Sequence, residues 1–528
     1  MKNLYLIGMM GSGKSHWGKT LALDLGRPFL DLDEYLTQKT GLSPAQWLEQ
    51  GPEPAFRQQE WAALCEVASL RWTVIATGGG TPLSRQARTL MTRTGDILWL
   101  DAPEDTLWAR SQENGSRRPL ARDEVSFKSL YQERRPLYAE MGRRVDTHRP
   151  PEEVFNDLRN GQSTLPHAPS APKLTAPAAS GDYPVKQVSS VEHAGLWIRE
   201  RLCPPFMIVA PALVFSLYGH ALVSALGTDE ALHCIIPDGE EHKTLGTVER
   251  LYHRFLEASL HRSSTVIALG GGVTGDMVGF AAATYLRGLP LVQLPTTLLA
   301  QVDSSVGGKV GVNLEAGKNL VGSFYAPRAS LQVTSTLHSL PDEVYRQGLA
   351  EIVKCALLKG EEHLSWLEAN ALALSQREPN VLHGAIYAAN KLKANIVRSD
   401  EYDTGSRHVL NLGHTLAHAL ETSLGYGNIG HGDAVAYGLQ WALCLSPARH
   451  LYPRVRKLLL DLGFPPHWPQ GDANEILSHL AQDKKRSSQG LTLVLLNDPG
   501  MPRLETGITF ETMKRAWNEA ALAANELD

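Results

Sequence analysis

The chain has 528 residues, of which 43% are hydrophobic and 20% are charged, and its formal net charge is −5. This length predicts about three or four domains, and the composition is typical of a soluble globular protein with a large core. The negative charge argues against a general nucleic-acid binder, and no apolar stretch is long enough for a signal peptide or a membrane span. Five scattered cysteines form no metal or redox motif, so we expect reduced thiols in a cytoplasmic protein.

Short apolar runs alternate with helical patterns over residues 1–160. The runs are Leu4–Ile7, Phe29–Leu32, Val74–Ala76 and Ile97–Leu100. This alternation predicts an α/β domain with one parallel sheet and helices on both of its faces.

A glycine-rich segment from Gly8 to Ser15 directly follows the first apolar run and fits the P-loop pattern. Its glycines, among them Gly11 and Gly13, allow backbone N–H groups to surround phosphates at a helix N-terminus. Lys14 can reach the β- and γ-phosphates, and Ser15 can hold Mg²⁺. A glycine-rich turn without a ligand is the alternative, but the strand before it and the helical pattern after it favour a nucleoside triphosphate site.

A P-loop does not identify the phosphate acceptor, so other residues must. Asp31 and Asp33 end the second apolar run on one face of the strand. Further candidates are basic residues and glycines in chain order, namely Arg57, Gly78, Gly79, Gly80, Arg118 and Arg134. Taken singly, Arg57 or Arg134 is more typical of a solvated surface, but the whole set, in this order, resembles shikimate kinase over residues 1–160.

The resemblance to shikimate kinase implies a role for each of these residues. Asp33 is expected to bind and activate the hydroxyl that is phosphorylated, and Arg57 and Arg134 to clamp the shikimate carboxylate through their planar guanidinium groups. The backbone of Gly78–Gly80 would line the ring. Arg118 would reach the nucleotide phosphates from a lid. The implied reaction transfers the γ-phosphoryl group of MgATP to the 3-hydroxyl of shikimate. His16 stands where the family usually has a small hydroxyl residue, which affects a minor nucleotide contact.

Residues 161–184 are rich in proline, alanine and serine, which predicts a linker. After it, the runs Met207–Val209, Cys234–Ile236, Thr265–Leu269 and Leu291–Leu294 continue an α/β pattern, and from about residue 341 the pattern is mostly helical. We therefore expect an α/β subdomain at 185–340 and a helical subdomain at 341–528.

Three polar clusters follow the glycine run Gly270–Gly272, which by itself favours a tight turn as much as a cofactor site. The first spans residues 294–319 and concentrates polar and cationic groups around glycines. The second carries Glu351 and Lys354 on one face of a helix. The third, residues 407–433, carries three histidines, His414, His418 and His431. Two imidazoles and one carboxylate can supply three zinc ligands and leave a position for a substrate oxygen.

These clusters resemble 3-dehydroquinate synthase over residues 185–500. The resemblance implies a metal, Zn²⁺ or Co²⁺, on Glu351, His414 and His431, with His418 beside it as a second-sphere or substrate-binding residue. The implied contacts to NAD come from Glu240, Lys243, Gly271, Gly272, Asp276, Thr296, Thr297, Lys309 and Lys318. The implied contacts to the phosphorylated substrate come from Asp303, Lys309, Lys318, Asn319, Lys354, Lys393, Arg407 and Asn411.

The resemblance also implies a reaction and an assembly. The second half would cyclise 3-deoxy-D-arabino-heptulosonate 7-phosphate to 3-dehydroquinate with release of phosphate, and its NAD would be regenerated at each turnover. Catalytic roles are expected for Lys354, Lys393, Arg407 and His418. Arg287 is expected to reach the phosphate of a ligand in a neighbouring subunit, which implies a homodimer. The two reactions are not consecutive in the pathway, so the linker is expected to couple expression or assembly rather than chemistry.

Several alternatives stay open on the sequence. The kinase half can act on another small polyol acid, and the second half can cyclise a sugar phosphate that lacks the carboxylate. One half can be a non-catalytic module, and the second half can be a metal-dependent alcohol dehydrogenase, although its lysines and Arg407 argue against that activity. In addition, the segment from Val209 to Ala212, with Pro211, has no acidic or amide side chain where many relatives contact the ribose of the cofactor.

Overall fold

A computed structural model describes residues 2–113, 123–164, 172–227, 231–425, 428–484 and 491–525. Within these ranges, no helix combines the length and the apolar composition that a bilayer crossing requires. The described elements form two mainly parallel sheets followed by a helical part, which confirms the predicted fold class.

The first sheet contains five strands among the described residues: β1 (Asn3–Ile7), β2 (Phe29–Asp31), β3 (Val74–Ala76), β4 (Gly95–Asp101) and β5 (Arg143–Asp146). They are all parallel, in the order β2-β3-β1-β4-β5. The helices are α1 (Lys14–Leu25), α2 (Leu32–Thr40), α3 (Pro44–Gln50), α4 (Glu53–Ala68), α5 (Arg85–Thr94), α6 (Glu104–Glu113), α7 (Glu124–Met141) and α8 (Pro151–Arg159). Because β1 is central and fully buried, its carboxyl end delivers the glycine-rich segment to the middle of the sheet edge where ligands bind.

The end of the predicted linker joins the second half of the chain. Residues 175–176 form the short strand β6 (Thr175–Ala176), which pairs antiparallel with β7 (Tyr183–Val188). Ala176 is fully buried in a cluster with Tyr183, Val306 and Ala394. The low apolar content of the linker predicted no such packing, because two of the partners, Val306 and Ala394, lie more than a hundred residues away in the chain. The domain boundaries themselves stay predictions.

The second sheet continues with β8 (Phe206–Pro211), β9 (Ala231–Ile236), β10 (Thr265–Gly270), β11 (Leu291–Pro295) and β14 (Ala329–Val333), while β12 (Lys309–Leu314) and β13 (Gly317–Phe324) form a separate hairpin. Its order is β6-β7-β14-β11-β10-β8-β9. Its helices are α9 (Val191–Arg201), α10 (Ala212–Val214), α11 (His220–Leu226), α12 (Leu245–Glu257) and α13 (Gly272–Thr284). The chain passes from β8 to the edge strand β9 and returns to β10 on the other side of β8. Ligands of open α/β sheets bind at such a switch point, here between the carboxyl ends of β8 and β10.

The helical part contains α14 (Asp342–Lys359), α15 (Glu361–Ala369), α16 (Ala371–Ser375), α17 (Pro379–Ser399), α18 (His414–Leu424), α19 (His431–Leu445), α20 (Tyr452–Asp461), α21 (Ala473–Lys484) and α22 (Phe510–Asn525), with the antiparallel hairpin of β15 (Thr492–Asp498) and β16 (Met501–Thr506). Helices α14, α18 and α19 pack against one another around a common apolar core. This packing brings the middle of α14 to the first turns of α18 and α19, where the histidines lie.

Candidate active sites

The segment between β1 and α1 forms a cradle at a helix N-terminus. Gly11 has φ +82°, and a Cβ atom there would lie 2.2 Å from the carbonyl oxygen of Leu107, so only glycine fits. Nζ of Lys14 donates hydrogen bonds to the carbonyl oxygens of Gly8, at 2.9 Å, and Met9, at 3.0 Å. These bonds hold the ammonium group over a loop whose backbone can surround phosphate groups.

Ser15 and Asp31 link this cradle to α2. Gly13 caps α1 in a left-handed conformation, which places Ser15 in the first turn of the helix. Oγ of Ser15 donates a hydrogen bond to Asp31, and the other carboxylate oxygen of Asp31 accepts one from the backbone N–H of Asp33 at 3.0 Å. A hydroxyl and a carboxylate are oxygen ligands of the kind that Mg²⁺ prefers. Asp31 thereby also fixes the start of α2 and the position of Asp33.

Asp33 and Arg57 lie against the glycine segment that follows β3. A Cβ atom at Gly78 would lie 2.9 Å from Oδ1 of Asp33. A Cβ atom at Gly80 would lie 2.5 Å from Nη1 of Arg57. The absence of side chains at these glycines therefore lets a carboxylate and a guanidinium group approach the backbone of the same segment closely.

Arg134 approaches the same segment from α7. It is only 3% exposed, and its Nε donates no hydrogen bond to a described residue. Its Nη1 lies 3.6 Å from the position of a Cβ atom at Gly79, whose carbonyl oxygen accepts a hydrogen bond from the Tyr138 hydroxyl at 2.6 Å. A buried guanidinium group with an unused donor is suited to bind an anionic ligand. The structure thus brings together Arg134 and the other residues predicted for the acceptor site.

Glu60 is a residue of this site to which the sequence analysis gave no role. It is 5% exposed, accepts a hydrogen bond from Nη1 of Arg57 at 2.9 Å and accepts another from the hydroxyl of Thr81 at 2.8 Å. Arg57 also pairs with the more exposed Glu53. The spacing of Arg57 and Glu60, three residues apart on one helix, is the signal that predicts such a pair.

Two other sequence predictions concern contacts to the nucleotide. Arg118 lies outside the described residues, so its predicted role over the nucleotide stays a prediction. His16 is exposed, and its ring contacts the ring of Trp17 with centroids 5.2 Å apart.

The second half of the chain carries a cluster of three potential metal ligands. Ligand atoms of Glu351 on α14, His414 on α18 and His431 on α19 lie within 4.8 Å of one another. Nε2 of His414 is 3.4 Å and Nε2 of His431 is 3.6 Å from Oε1 of Glu351. Glu351 is 1% exposed, and its Oε1 lies without a hydrogen bond of ordinary geometry among the described residues. A divalent cation would satisfy this buried oxygen, and one carboxylate with two imidazoles is a zinc-type donor set.

His418 and Glu421 lie close to the cluster on α18. The ring of His418 is more exposed than that of His414, and the two centroids are 5.8 Å apart. Oε1 of Glu421 lies 3.6 Å from Nδ1 of His431. Burial would lower the pKa of His431, but the nearby carboxylates of Glu351 and Glu421 raise it to about 9. Glu421, which the sequence analysis missed, therefore orients His431 from the side opposite Glu351.

Buried lysines surround the carboxylate of the cluster. Lys354 forms an ion pair with Glu351. Burial alone would raise the pKa of Glu351, but the charges of Lys354 and His414 hold it well below its ordinary value. Nζ of Lys393 donates hydrogen bonds to the carbonyl oxygen of Asp303, at 2.7 Å, and to its carboxylate. Lys354 and Lys393 are thus fixed cations next to the candidate metal ligands.

Arg407 is buried against the backbone of Gly307. It is 4% exposed and donates hydrogen bonds to the carbonyl oxygens of Gly307, at 3.3 Å, and Glu401, at 2.8 Å. Gly307 has φ +103°, and a Cβ atom there would lie 2.4 Å from Nη2 of Arg407. Lys309 forms an ion pair with Asp403, which the sequence analysis did not select. Asn411 lies exposed at the end of the 3₁₀ turn that carries Arg407.

A second network joins the segment after β9 to the β12–β13 hairpin. Nζ of Lys243 donates hydrogen bonds to Oδ2 of Asp276, at 2.5 Å, and to Oδ1 of Asn319, at 2.6 Å. Glu240 accepts a hydrogen bond from Nδ2 of Asn313 at 2.7 Å. Lys318, next to Asn319, lies with its Nζ 3.3 Å from Glu421 of the metal cluster. The hairpin therefore lies between the predicted cofactor residues and the predicted metal ligands.

The glycine run after β10 opens onto the switch point of the sheet. Gly271 caps α13, and Gly272 is its first residue. The backbone N–H of Thr296 donates a hydrogen bond to Gly270 at 2.9 Å, and the methyl group of Thr297 lies 3.2 Å from the position of a Cβ atom at Gly271. A bare helix N-terminus beside two hydroxyl side chains is suited to bind a pyrophosphate.

Arg287 does not join the other predicted residues. It is exposed at φ +64°, and Leu286 before it has φ +50° and is 42% exposed. The side chain of Arg287 forms no hydrogen bond or ion pair with another described residue. Two successive non-glycine residues in this region indicate a strained backbone.

Comparisons with known proteins divide the chain in the same places as these sites. Residues 10–160 match a family model described as shikimate kinase. Residues 233–347 match the model described as 3-dehydroquinate synthase N-terminal, and residues 348–486 match the C-terminal model of the same family.

Several synthases are similar to the second half of the chain. A 3-dehydroquinate synthase of Methylococcus capsulatus is 44% identical over 310 residues, which are 57% of this chain and 86% of that protein. Among solved structures, a 2-deoxy-scyllo-inosose synthase with carbaglucose-6-phosphate, NAD⁺ and Co²⁺ is 26% identical with a TM-score of 0.59, over 66% of this chain and 99% of that one. A 2-epi-5-epi-valiolone synthase of Streptomyces hygroscopicus with NAD⁺ and Zn²⁺ bound has the same identity and TM-score, 26% and 0.59, over 66% of this chain and 97% of its own.

Proposed function

Since the chain belongs to the 3-dehydroquinate synthase family and carries a shikimate kinase domain, we propose that the sites described above perform these two reactions. The protein is a bifunctional enzyme of the shikimate pathway, a phosphotransferase and a lyase. One half phosphorylates shikimate to shikimate 3-phosphate with ATP. The other half cyclises 3-deoxy-D-arabino-heptulosonate 7-phosphate to 3-dehydroquinate and releases phosphate.

In the kinase half, we assign the acceptor to the space between Asp33, Arg57 and Arg134. The two guanidinium groups bind the carboxylate of shikimate, and the backbone of Gly78–Gly80 lines its ring. Asp33 takes the proton of the 3-hydroxyl of shikimate. The hydroxyl oxygen then bonds to the γ-phosphorus, while the bond between the γ-phosphorus and the β–γ bridging oxygen breaks. ADP therefore leaves with the bridging oxygen.

The nucleotide in this half is held by the P-loop. The backbone around Gly11 and Gly13 surrounds the phosphates, Lys14 neutralises the β- and γ-phosphates, and Ser15 holds Mg²⁺ beside Asp31. Arg118 is assigned to the transferring phosphoryl group from the sequence alone.

In the synthase half, the metal is assigned to Glu351, His414 and His431, because these side chains fit a divalent cation. The observation that carries the proposal is that their ligand atoms lie within 4.8 Å of one another and include a buried carboxylate oxygen. When bound, Zn²⁺ or Co²⁺ supplies a Lewis acid for substrate hydroxyls, and NAD⁺ supplies a reversible hydride acceptor. His418 is assigned to the substrate next to the metal.

Fixed cations of the chain orient the substrate in this half. Lys354, Lys393 and Arg407 hold its carboxylate and phosphate while charge moves. The other residues assigned to the substrate are Asp303, Lys309, Lys318, Asn319 and Asn411. Because Lys354 and Lys393 are buried and paired, they present ammonium groups without reorganisation when the substrate enters.

The dinucleotide is assigned to the crevice at the switch point of the sheet. Gly271 and Gly272 open α13 towards its pyrophosphate, with Thr296 and Thr297 beside them. Glu240, Lys243 and Asp276 are assigned to the rest of the cofactor, together with Lys309 and Lys318 at its boundary with the substrate.

The proposal also includes the domain limits and the location of the protein. We propose a kinase domain at 1–160, a linker at 161–184, an α/β subdomain at 185–340 and a helical subdomain at 341–528, in a cytoplasmic protein.

We further propose a homodimer in which Arg287 serves the partner's site. Its exposure and strained backbone support this assignment. Mixing Arg287→Ala subunits with Glu351→Ala subunits forms heterodimers in which one of the two sites has both residues. Random exchange would then restore about a quarter of the wild-type rate. Two inactive variants whose mixture stays inactive after exchange would contradict the shared site.

The test of the proposed function is the product of each half. The protein is incubated with 3-deoxy-D-arabino-heptulosonate 7-phosphate, NAD⁺ and Zn²⁺, and the products are identified by mass spectrometry. We expect 3-dehydroquinate and phosphate, and neither with a chelator or in Glu351→Ala. Shikimate and MgATP in the same preparation serve as the control for folding. Turnover of a sugar phosphate without a carboxylate, but not of the heptulosonate, would contradict the assignment of the second half.

A further inference from the structure

One helix of the kinase domain packs on the synthase. Residues 212–219 directly follow β8. Helix α2 contacts this segment, and strand β2 contacts its residues 215–219. Ala212, Leu213 and Leu217 pack against the apolar core of the kinase domain. We call residues 212–220 the β8 loop. Its apolar side chains are therefore covered by another domain of the same chain.

Polar contacts hold the end of the β8 loop on α2. Nε2 of His220 lies 2.8 Å from Oε1 of Glu34 and 3.2 Å from Nε2 of Gln38. The hydroxyl of Ser216 donates a hydrogen bond to Oε1 of Gln38. Glu34 and Gln38 are four residues apart on α2 and so face the loop together. The pair of His220 with Glu34 is partly exposed, so it contributes more to the position of the loop than to stability.

The β8 loop is one wall of the crevice at the switch point. It starts at the carboxyl end of β8, and the opposite wall starts at the carboxyl end of β10. Helix α2 also approaches the segment that carries Glu240, since burial, Glu66 and Asp238 together raise the pKa of Tyr35. The kinase domain thus supports the β8 loop, and Tyr35 on α2 is close enough to Asp238 for the charge of Asp238 to act on it.

The composition of the β8 loop makes this support important. The end of β8 and the first residue of the loop, from Val209 to Ala212, offer no acidic or amide side chain to a ribose. A wall without its own polar anchor acts through shape, and its shape depends on what packs behind it. Any disorder in it would have to be removed when a ligand binds, which lowers affinity.

We propose that Glu34 and Gln38 of the kinase domain are positioning residues for the cofactor of the synthase, which they serve by holding the β8 loop in place. The inference rests on the proposed NAD⁺ site. The contact between the two domains then has a function beyond that of a linker. The synthase binds NAD⁺ tightly only when the kinase domain supports the β8 loop.

The experiment measures NAD⁺ binding by calorimetry in the full-length chain. Gln38→Ala and His220→Ala remove the polar contacts without touching either group of reacting residues. We expect the Kd and the KM for NAD⁺ to rise about fivefold in each, as the loss of a net hydrogen bond predicts. The kcat at saturating NAD⁺ and the KM for shikimate are expected to stay unchanged. His220→Gln, which keeps a donor for Glu34, is expected to restore most of the affinity.

A matched control separates positioning from general damage. Gln86→Ala removes an exposed glutamine on α5, on the surface of the same domain, and is expected to bind NAD⁺ as the wild type does. An unchanged Kd in the Gln38→Ala, His220→Ala double variant would overturn the inference, as would an equal loss of both activities. If the wild type itself binds no NAD⁺, the proposed function fails first and the inference falls with it.

Discussion

Glu351 and Lys354 lie one turn apart on α14 and form an ion pair whose side chains are 1% and 2% exposed. Burying a carboxylate costs several kcal/mol unless a cation and hydrogen bonds compensate it. Lys354 compensates part of the charge, while Oε1 faces His414 and His431 without a hydrogen bond of ordinary geometry among the described residues. The arrangement therefore leaves one oxygen of Glu351 for a second cation.

The first prediction concerns this oxygen. Glu351→Gln keeps the size of the side chain but removes its charge, so we expect affinity for Zn²⁺ or Co²⁺ to fall at least about 100-fold. Synthase turnover is expected to disappear with the metal, and Lys354 also loses the carboxylate with which it is paired. Bound metal is measured by elemental analysis after dialysis against a weak chelator. Shikimate phosphorylation should stay at the wild-type rate.

Glu343→Gln is the control for that variant. Glu343 lies in the first turn of the same helix and is exposed, so the same change there should leave metal content unaltered. Full metal content in Glu351→Gln would show that the three ligand atoms do not form the metal site.

The fold and the residue types of the sites are readable from the sequence, because both depend on local signals. Alternating apolar runs predicted the parallel sheet of the first domain and the α/β pattern of the second, and glycines followed by Lys14 marked the cradle. The spacing of His414 and His418 on a helix drew attention to the region where His431 and Glu351 meet. Such signals need no knowledge of which distant segments touch.

The partners of these residues depend on distant contacts, so the sequence did not predict them. Asp403 pairs with Lys309 across 94 positions, and Glu421 lies beside Lys318 across 103. An acidic residue in such a chain is as typical of a solvated surface as of an active site. The packing of β6 in the predicted linker was missed for the same reason. Only Glu60, three residues from Arg57, had a local signal.

The second prediction concerns the glycine behind Arg407. In Gly307→Ala, the new Cβ atom would lie 2.4 Å from Nη2 of Arg407 at a backbone φ of +103°, so the guanidinium group must move. We expect the KM for the heptulosonate phosphate to rise about tenfold or more, because a displaced clamp loses both orientation and charge contact. Steady-state kinetics at saturating NAD⁺ provide the measurement.

Gly246→Ala is a suitable comparison for Gly307→Ala. Gly246 lies in α12, where the nearest atom to a new Cβ would be 3.8 Å away. This variant should keep wild-type kinetics and folding. If Gly307→Ala also kept the wild-type KM, Arg407 would not be a substrate clamp.

The third prediction concerns the pH dependence of stability. His338 is 4% exposed, and burial, with the charge of Arg377, lowers its pKa from 6.5 to about 4. Above pH 7 the ring is neutral in both states and contributes nothing to the pH dependence. As the pH falls from 6.5 towards 4, only the unfolded state takes up the proton, so the free energy of unfolding falls by about 2 to 3 kcal/mol.

Urea unfolding of the wild type and of His338→Gln tests this effect. The difference in the free energy of unfolding between pH 7.5 and pH 4.5 should be smaller in the variant by that amount. His253→Gln, at an exposed position on α12, should follow the wild type. Parallel curves for the wild type and His338→Gln would contradict a buried neutral histidine.

The fourth prediction concerns Glu60, which holds Arg57 and Thr81 in the kinase site. Glu60→Gln keeps the volume and one acceptor but leaves Arg57 without its buried counter-charge. We expect the guanidinium group to turn towards Glu53, so that the KM for shikimate rises about tenfold, with a smaller change in kcat. The equivalent change at Glu53, which is exposed, should alter the KM less than about twofold. Equal effects of the two variants would mean that Arg57 is held by its total charge environment and would contradict a specific positioning role of Glu60.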